Sequence, residues 1–147
     1  MKLFLDTNIF MEFVEQRKQF EQVCRIIDAI LEKRHSACIS TGCLYTLAFL
    51  FEKTLKRQDV HRPELTDRMR GYLAEVLDLA MLVDLSHVGA KRAVFAETFT
   101  DIEDSLQYQC AVENRCDVLV TINIDDYSHR DLQLEVLTPS QFVDKYL

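Results

Sequence analysis

The sequence predicts an α/β fold in which helices cover both faces of a central, mostly parallel sheet. Three observations lead to it. Short apolar segments alternate with longer segments of helical periodicity along the chain. The short segments are apolar almost without interruption, as strands buried on both faces are. Polar residues of the turn-forming and capping kind follow directly after them.

Lys2 to Leu5 runs into Asp6-Thr7-Asn8, a cluster of turn and cap residues, so a buried strand passing into a loop is expected. Phe20, Val23, Cys24, Ile26, Ile27, Ile30 and Leu31 recur at helical spacing and end at Lys33-Arg34, where cations favour a helix C-terminus. Ala37-Cys38-Ile39 is the second strand, closed by Ser40-Thr41-Gly42, and Leu44 to Leu55 is a mostly apolar helix for packing on a sheet. Residues 64 to 80 form an amphipathic helix, Met81 to Val83 a strand, Val88 to Phe95 a helix and 101 to 115 another. Val118 to Thr121 is the most strand-like segment, Glu135 to Leu137 a last short strand, and Pro139 to Tyr146 a closing helix.

A chain of 147 residues is the size of one domain, expected to span 1–147. With 48% hydrophobic and 28% charged residues, 3 Gly and 2 Pro, it is neither disordered nor linker-rich. No apolar run approaches the roughly 20 residues of a membrane span, and a carboxylate at position 6 interrupts any signal-peptide core, so no membrane contact and a cytoplasmic location are expected. Five cysteines without a Cys-x-x-Cys pair fit neither a disulfide framework nor a zinc knuckle and read as buried reduced thiols. The net charge of -7 argues against a surface wholly given to nucleic acid. From Glu97 onward there are 11 Asp or Glu against 3 Lys or Arg, whereas residues 53 to 96 carry 8 basic against 6 acidic residues. Crowded carboxylates repel one another unless solvent or a cation neutralises them.

Ligands of parallel sheets bind at the carboxyl ends of strands, which directs attention to the polar residues there. The first strand ends in Asp6-Thr7-Asn8, the second in Ser40-Thr41, and the strand at 118 to 121 leads to Thr121, Asn123, Asp125 and Asp126. Asp101 and Asp104, three apart at a helix start, share one side of its first turn. Hard oxygen ligands converging in this way suit Mg²⁺ or Mn²⁺, which activates water and stabilises charge on a phosphoryl oxygen. Each residue also has a structural role open to it. Asp6 has the position to cap a helix beginning near Asn8, Thr100 and Glu103 have the spacing of a capping box, and Asp101 favours a helix N-terminus. Asp125 and Asp126 are each ordinary turn residues. Histidines 35, 61, 87 and 129 show no ligand spacing, and no Ser/His/Asp triad is evident.

Leu5-Asp6-Thr7-Asn8, Asp101-Ile102-Glu103-Asp104-Ser105-Leu106 and Val120-Thr121-Ile122-Asn123-Ile124-Asp125-Asp126-Tyr127, in this order and context, resemble the motifs of the PIN domain family. These are metal-dependent nucleases that include the toxin ribonucleases of bacterial toxin–antitoxin pairs. The resemblance covers most of the chain and implies a three-layer α/β/α sandwich. It implies Asp6 and Asp104 as ligands of Mg²⁺ or Mn²⁺, and Asp126 with Asn123 and Thr121 as supports. The family usually carries a Glu six positions past the Ser that ends the second strand; here that position is Thr46. Glu52 is six residues further on, about 9 Å along a helix and more than about 200° around it, which is the wrong place to substitute. Ile122 replaces a frequent Arg.

The expected function is hydrolysis of single-stranded RNA, with Asp6, Asp104 and one of Asp101 or Asp126 holding the cation and Thr7 and Asn8 ordering the loop or binding phosphate. Lys53, Lys56, Arg57, Arg62, Arg68 and Arg70 are the candidate RNA-docking cations. A homodimer with an antitoxin partner follows from the family analogy, with the apolar helices at 20 to 31 and 44 to 55 as candidate surfaces. The alternative, motivated by Thr46, is a catalytically degenerate PIN-like module that binds RNA or a protein partner. A phosphatase of the haloacid dehalogenase type needs a second Asp where Asn8 stands, and a receiver domain needs an acidic pair and a late Lys that are absent.

Overall fold

The computed structural model describes residues 1–127 and 133–147; His129 lies outside them. Strand β1 (Lys2–Leu5) is followed by helices α1 (Thr7–Val14) and α2 (Phe20–Leu31), and β2 (Ser36–Ser40) by α3 (Thr41–Arg57) and α4 (Glu64–Leu79). Then β3 (Met81–Val83) leads to α5 (His87–Val94) and α6 (Ile102–Glu113), β4 (Val118–Val120) to a 3₁₀ turn (Ile124–Tyr127), and β5 (Glu135–Leu137) to α7 (Pro139–Tyr146).

The five strands lie in the order β3-β2-β1-β4-β5 and every neighbouring pair is parallel, so the α/β/α sandwich has an entirely parallel sheet. Parallel strands need long crossovers, and each connection here is long enough to provide one. Leu3, Phe4 and Leu5 of β1, and Val118, Leu119 and Val120 of β4, are each at most 1% exposed, which explains their uninterrupted apolar character. The chain leaves β1 toward β2 and returns on the other side at β4. The order therefore reverses between β1 and β4, and the crevice at their carboxyl ends is where a ligand of such a sheet binds.

Three local features position the site. Helix α1 starts at Thr7, immediately after Asp6, where a loop was expected; the Ile9, Phe10 and Met11 side chains that begin it are buried against the sheet and α2, which fixes the turn as helix. Ser40 caps α3, its hydroxyl accepting from the Cys43 N–H at 3.0 Å, and Leu47, Phe51 and Leu55 bury one face of that helix at i,i+4 spacing. Asp101 caps α6 by accepting from the N–H groups of Glu103 at 2.7 Å and Asp104 at 3.3 Å. The expected Thr100–Glu103 capping box does not form, because the Asp101 carboxylate takes the donors one residue later. A capping box is found instead on α7, between Thr138 and Gln141 with Pro139 in the first turn.

All five cysteines are free, and all but Cys24 are buried. The thiols of Cys38 and Cys116 stand 3.3 Å apart under the sheet. No described helix is long and apolar enough to cross a membrane. Phe4 is fully buried in the central strand. Phe4→Ala is expected to cost about 3–5 kcal/mol, read as a lower urea midpoint in equilibrium unfolding.

Candidate functional site

The switch point brings the ends of β1 and β4 together through the backbone, with the Asp6 N–H donating to the Val120 carbonyl at 3.0 Å. Asp6 occupies the N-cap position of α1, yet its side chain does not cap that helix. Its Oδ2 instead accepts from Thr121 Oγ1 at 2.6 Å and from Asn8 Nδ2 at 2.5 Å. Asn8 Nδ2 also reaches Thr121 Oγ1 at 3.2 Å, while Asn8 Oδ1 accepts from the Ile122 N–H at 3.1 Å and Thr121 Oγ1 from the Asn123 N–H at 3.1 Å. Asp6, Asn8, Thr121 and Asn123 thus form one network that aims the Asp6 carboxylate. Thr7 is buried at the start of α1 with its hydroxyl beside the Cys43 thiol.

Helix α6 supplies the opposing wall. Asp104, in its first turn, is 8% exposed, and its Oδ2 is buried with no hydrogen-bond partner. Burial, then the charge of Asp6 and the adjacent Asp126 carboxyl, pushes the Asp104 carboxyl up to about 7 from its ordinary 3.8. Asp6 is raised in the same direction by burial, against the lowering effect of its Thr121 and Gln107 hydrogen bonds. Asp126, in the 3₁₀ turn, is half-buried and accepts from Asn123 Nδ2. Asp101 is exposed, with Oδ1 committed to the helix cap.

Asp6, Thr7, Asn8 and Asp104 line a cavity of about 470 Å³ together with Glu103, Gln107 and Thr46, and Glu15, Arg17, Lys53 and Arg57 line it as well. Of the six cations expected at RNA, only Lys53 and Arg57 reach this cavity. Lys56 and Arg62 pair with Glu52 at 2.7 and 3.2 Å, Arg68 with Glu64 at 2.7 Å and Arg70 with Asp67 at 3.1 Å, all outside it. Arg17, which sequence patterning did not single out, lines the cavity and pairs with Glu15 at 2.5 Å.

Two further residues escaped the sequence reading. Gln107 is 5% exposed and donates to Asp6 and, at 3.4 Å, to Glu103, while its Oε1 has no partner. Its position one turn beyond Glu103 and Asp104 is the pattern that marks it. Tyr127 is 2% exposed with an unbonded hydroxyl, and burial beside Asp104, Asp6, Asp126 and Asp101 raises its phenol above the usual range. It packs edge-on against Phe99 at 5.7 Å, which places an aromatic pair beside the carboxylates.

A hard divalent cation fits this donor set. Every candidate ligand is an oxygen, and the unbonded, buried Asp104 Oδ2 is the kind of atom that a cation satisfies. Among the described residues no three His, Cys, Asp or Glu side chains form a ready-made metal cage. Mg²⁺ does not require one, since it keeps several waters and uses one or two carboxylates together with substrate phosphate.

Comparison with known proteins identifies the family of the chain. The family model described as "PIN domain" matches residues 2–125. The chain is 23% identical over 150 residues to Ribonuclease VapC1 of Aquifex aeolicus, covering 99% of this chain and 95% of that protein. Among solved structures, VapBC2 from Rickettsia felis bound to a DNA fragment from its promoter superposes with a TM-score of 0.66 at 18% identity, covering 94% of this chain and 98% of that one. VapBC-1 from nontypeable Haemophilus influenzae gives 0.64 at 13% identity, covering 95% and 99%. The three motifs, the carboxylates gathered at the β1–β4 switch point and the match over residues 2–125 together establish that this chain belongs to the PIN domain family.

Proposed function

We propose that residues 1–147 work as a single endoribonuclease domain, dependent on Mg²⁺ or Mn²⁺, that hydrolyses phosphodiester bonds in single-stranded RNA as the toxin of a type II toxin–antitoxin pair. The observation that carries this reading is the pair of buried carboxylates, Asp6 and Asp104, facing one cavity from two different elements. The relative named Ribonuclease VapC1 and the likeness to VapBC structures support it.

In this reading Asp6, Asp104 and Asp126 hold the cation, and Asp101 joins them through the oxygen its helix cap leaves over. A divalent ion held by these residues would supply an acidified water and a positive charge for the phosphoryl group. Asn8, Thr121 and Asn123 keep the Asp6 carboxylate aimed, and Thr7 and Asn8 lie where a scissile phosphate enters. Lys53, Arg57 and Arg17, which line the same cavity, receive the neighbouring phosphates of the RNA strand. The carboxylates repel RNA until they are neutralised, which makes substrate docking dependent on the cation.

The partners follow the same reading. The groove between α1, α2 and α4, a cavity of about 480 Å³ lined by Phe10, Phe13, Phe20 and Leu31 among others, suits an apolar segment of an antitoxin. Tyr45 and Phe49, exposed one turn apart on α3, suit a second copy of the chain in a homodimer. Free cysteines, together with the proposed RNA substrate, support a cytoplasmic location. The second reading, a degenerate PIN-like module binding RNA or a protein partner, is favoured by one feature: Thr46 on α3 leaves that wall without an acid.

Cleavage of a mixed single-stranded RNA pool with Mn²⁺ or Mg²⁺ tests the choice. Wild type is expected to cleave, and Asp6→Asn and chelator treatment each to lower the rate by at least about 100-fold, the scale of losing a preorganised charge-stabilising group. A folded wild type that neither cleaves RNA nor binds Mn²⁺ favours the degenerate module.

The raised Asp104 carboxyl predicts a pH dependence that needs no substrate. Between its unfolded value near 3.8 and about 7, the folded state binds more protons than the unfolded chain, so the stability of the cation-free protein falls as pH rises through that window. Asp104→Asn is expected to flatten that fall in thermal melts. Because ligands bind the cation deprotonated, Mn²⁺ affinity is expected to rise from pH 6 to 8, and Mn²⁺ at 100 times its Kd to stabilise by about 2.7 kcal/mol, or about 5–10 °C in Tm.

A further inference from the structure

We propose that Glu103 supplies the divalent-cation site with a negative charge from α6, in the place where Thr46 leaves the facing wall of α3 without one. This deepens the metal-dependent reading above and rests on it.

The arrangement of α6 argues for this role. Asp101 takes over the cap, so Glu103 is released from any capping duty and its exposed side chain turns to the cavity that Asp6 and Asp104 line. There Glu103 Oε1 accepts from Thr46 Oγ1 at 3.3 Å, across from α3, and from Gln107 Nε2 at 3.4 Å, one turn along its own helix. Both donors are weakly placed and bind the same oxygen. Gln107 also donates to Asp6, so one amide bridges the Asp6 and Glu103 carboxylates.

Two unsatisfied atoms belong to residues lining the same cavity. Asp104 Oδ2 and Gln107 Oε1 belong to residues 8% and 5% exposed, line the same cavity and have no partner. Buried acceptors in this state call for a cation or an ordered water bound to one. Thr46 is then a positioning residue. Its hydroxyl donates to a carboxylate that arrives from the opposite helix, which a Glu at position 46 would repel.

Isothermal titration of the metal-free full-length protein with Mn²⁺ at pH 7.5 tests the proposal without reference to cleavage. Glu103→Gln is expected to weaken Mn²⁺ binding about tenfold while leaving the Tm of the metal-free protein at or above that of wild type, because the residue is exposed. Glu21→Gln, an exposed acid on α2 away from the cavity, is expected to leave Mn²⁺ affinity within about twofold. Moving the acid across the cavity, in the double variant Thr46→Glu with Glu103→Gln, is expected to restore most of the affinity. The proposal is overturned by unchanged affinity in Glu103→Gln, by an equal loss in Glu21→Gln, or by a double variant as weak as Glu103→Gln, and each of these leaves the cation site standing. Absence of Mn²⁺ binding by wild type removes the underlying reading along with the proposal.

Discussion

Asp6 sits at the carboxyl end of the middle strand of five, 3% exposed, where an ionised carboxylate loses most of its hydration. The surroundings compensate for that loss in detail. Two side-chain donors, Thr121 and Asn8, come from elements on either side of the switch point, and both must be in register for the carboxylate to be tolerated. The β1–β4 pairing fixes Thr121 opposite Asp6, and the start of α1 at Thr7 turns Asn8 back over it. The register of the central strands and the entry angle of the first helix are therefore both tied to one acidic group.

Around that group the cavity is lined by acids and bases alike: Asp6, Glu103 and Asp104 among the acids, and Arg17, Lys53 and Arg57 among the bases, with Glu15 paired to Arg17. An aromatic wall of Phe99, Tyr108 and Tyr127 stands behind the acids and lowers the local dielectric. This makes an isolated carboxylate costly and a neutralising ion correspondingly favourable. The same environment explains why the Asp104 carboxyl is raised well above the ordinary carboxylate range.

Much of this was legible in the sequence, and the reasons differ by element. The strands were readable because burial on both faces leaves uninterrupted apolar runs, and Asp6, Asp104 and Asp126 because a carboxylate just past a strand or at a helix start is unusual in a hydrophobic neighbourhood. For the segment after Asp6 the sequence leaves a loop and a helix beginning near Asn8 both open, because Asp6-Thr7-Asn8 has turn as well as cap chemistry; only tertiary burial of Ile9, Phe10 and Met11 decides for a helix. The role of Glu103 was misassigned because capping is settled by which of two adjacent residues, Thr100 or Asp101, takes the cap, a one-residue shift that spacing does not resolve. The sorting of the basic residues depends on which ion pairs they find in space, as Lys56 and Arg62 do on Glu52, and no local pattern encodes that.

The all-parallel sheet also settles where the ends of the described chain emerge. The cavity lies at the carboxyl ends of the strands, so Met1, at the amino end of β1, is on the opposite side. Helix α7 runs back from the carboxyl end of β5, and its Phe142 packs edge-on against His35 at 5.6 Å, whose ring lies 3.5 Å from the Met1 amino group. Both termini thus leave from the rear of the molecule. A tether, label or surface attachment joined at either one points away from the acidic mouth and leaves its approach open to a long polymer.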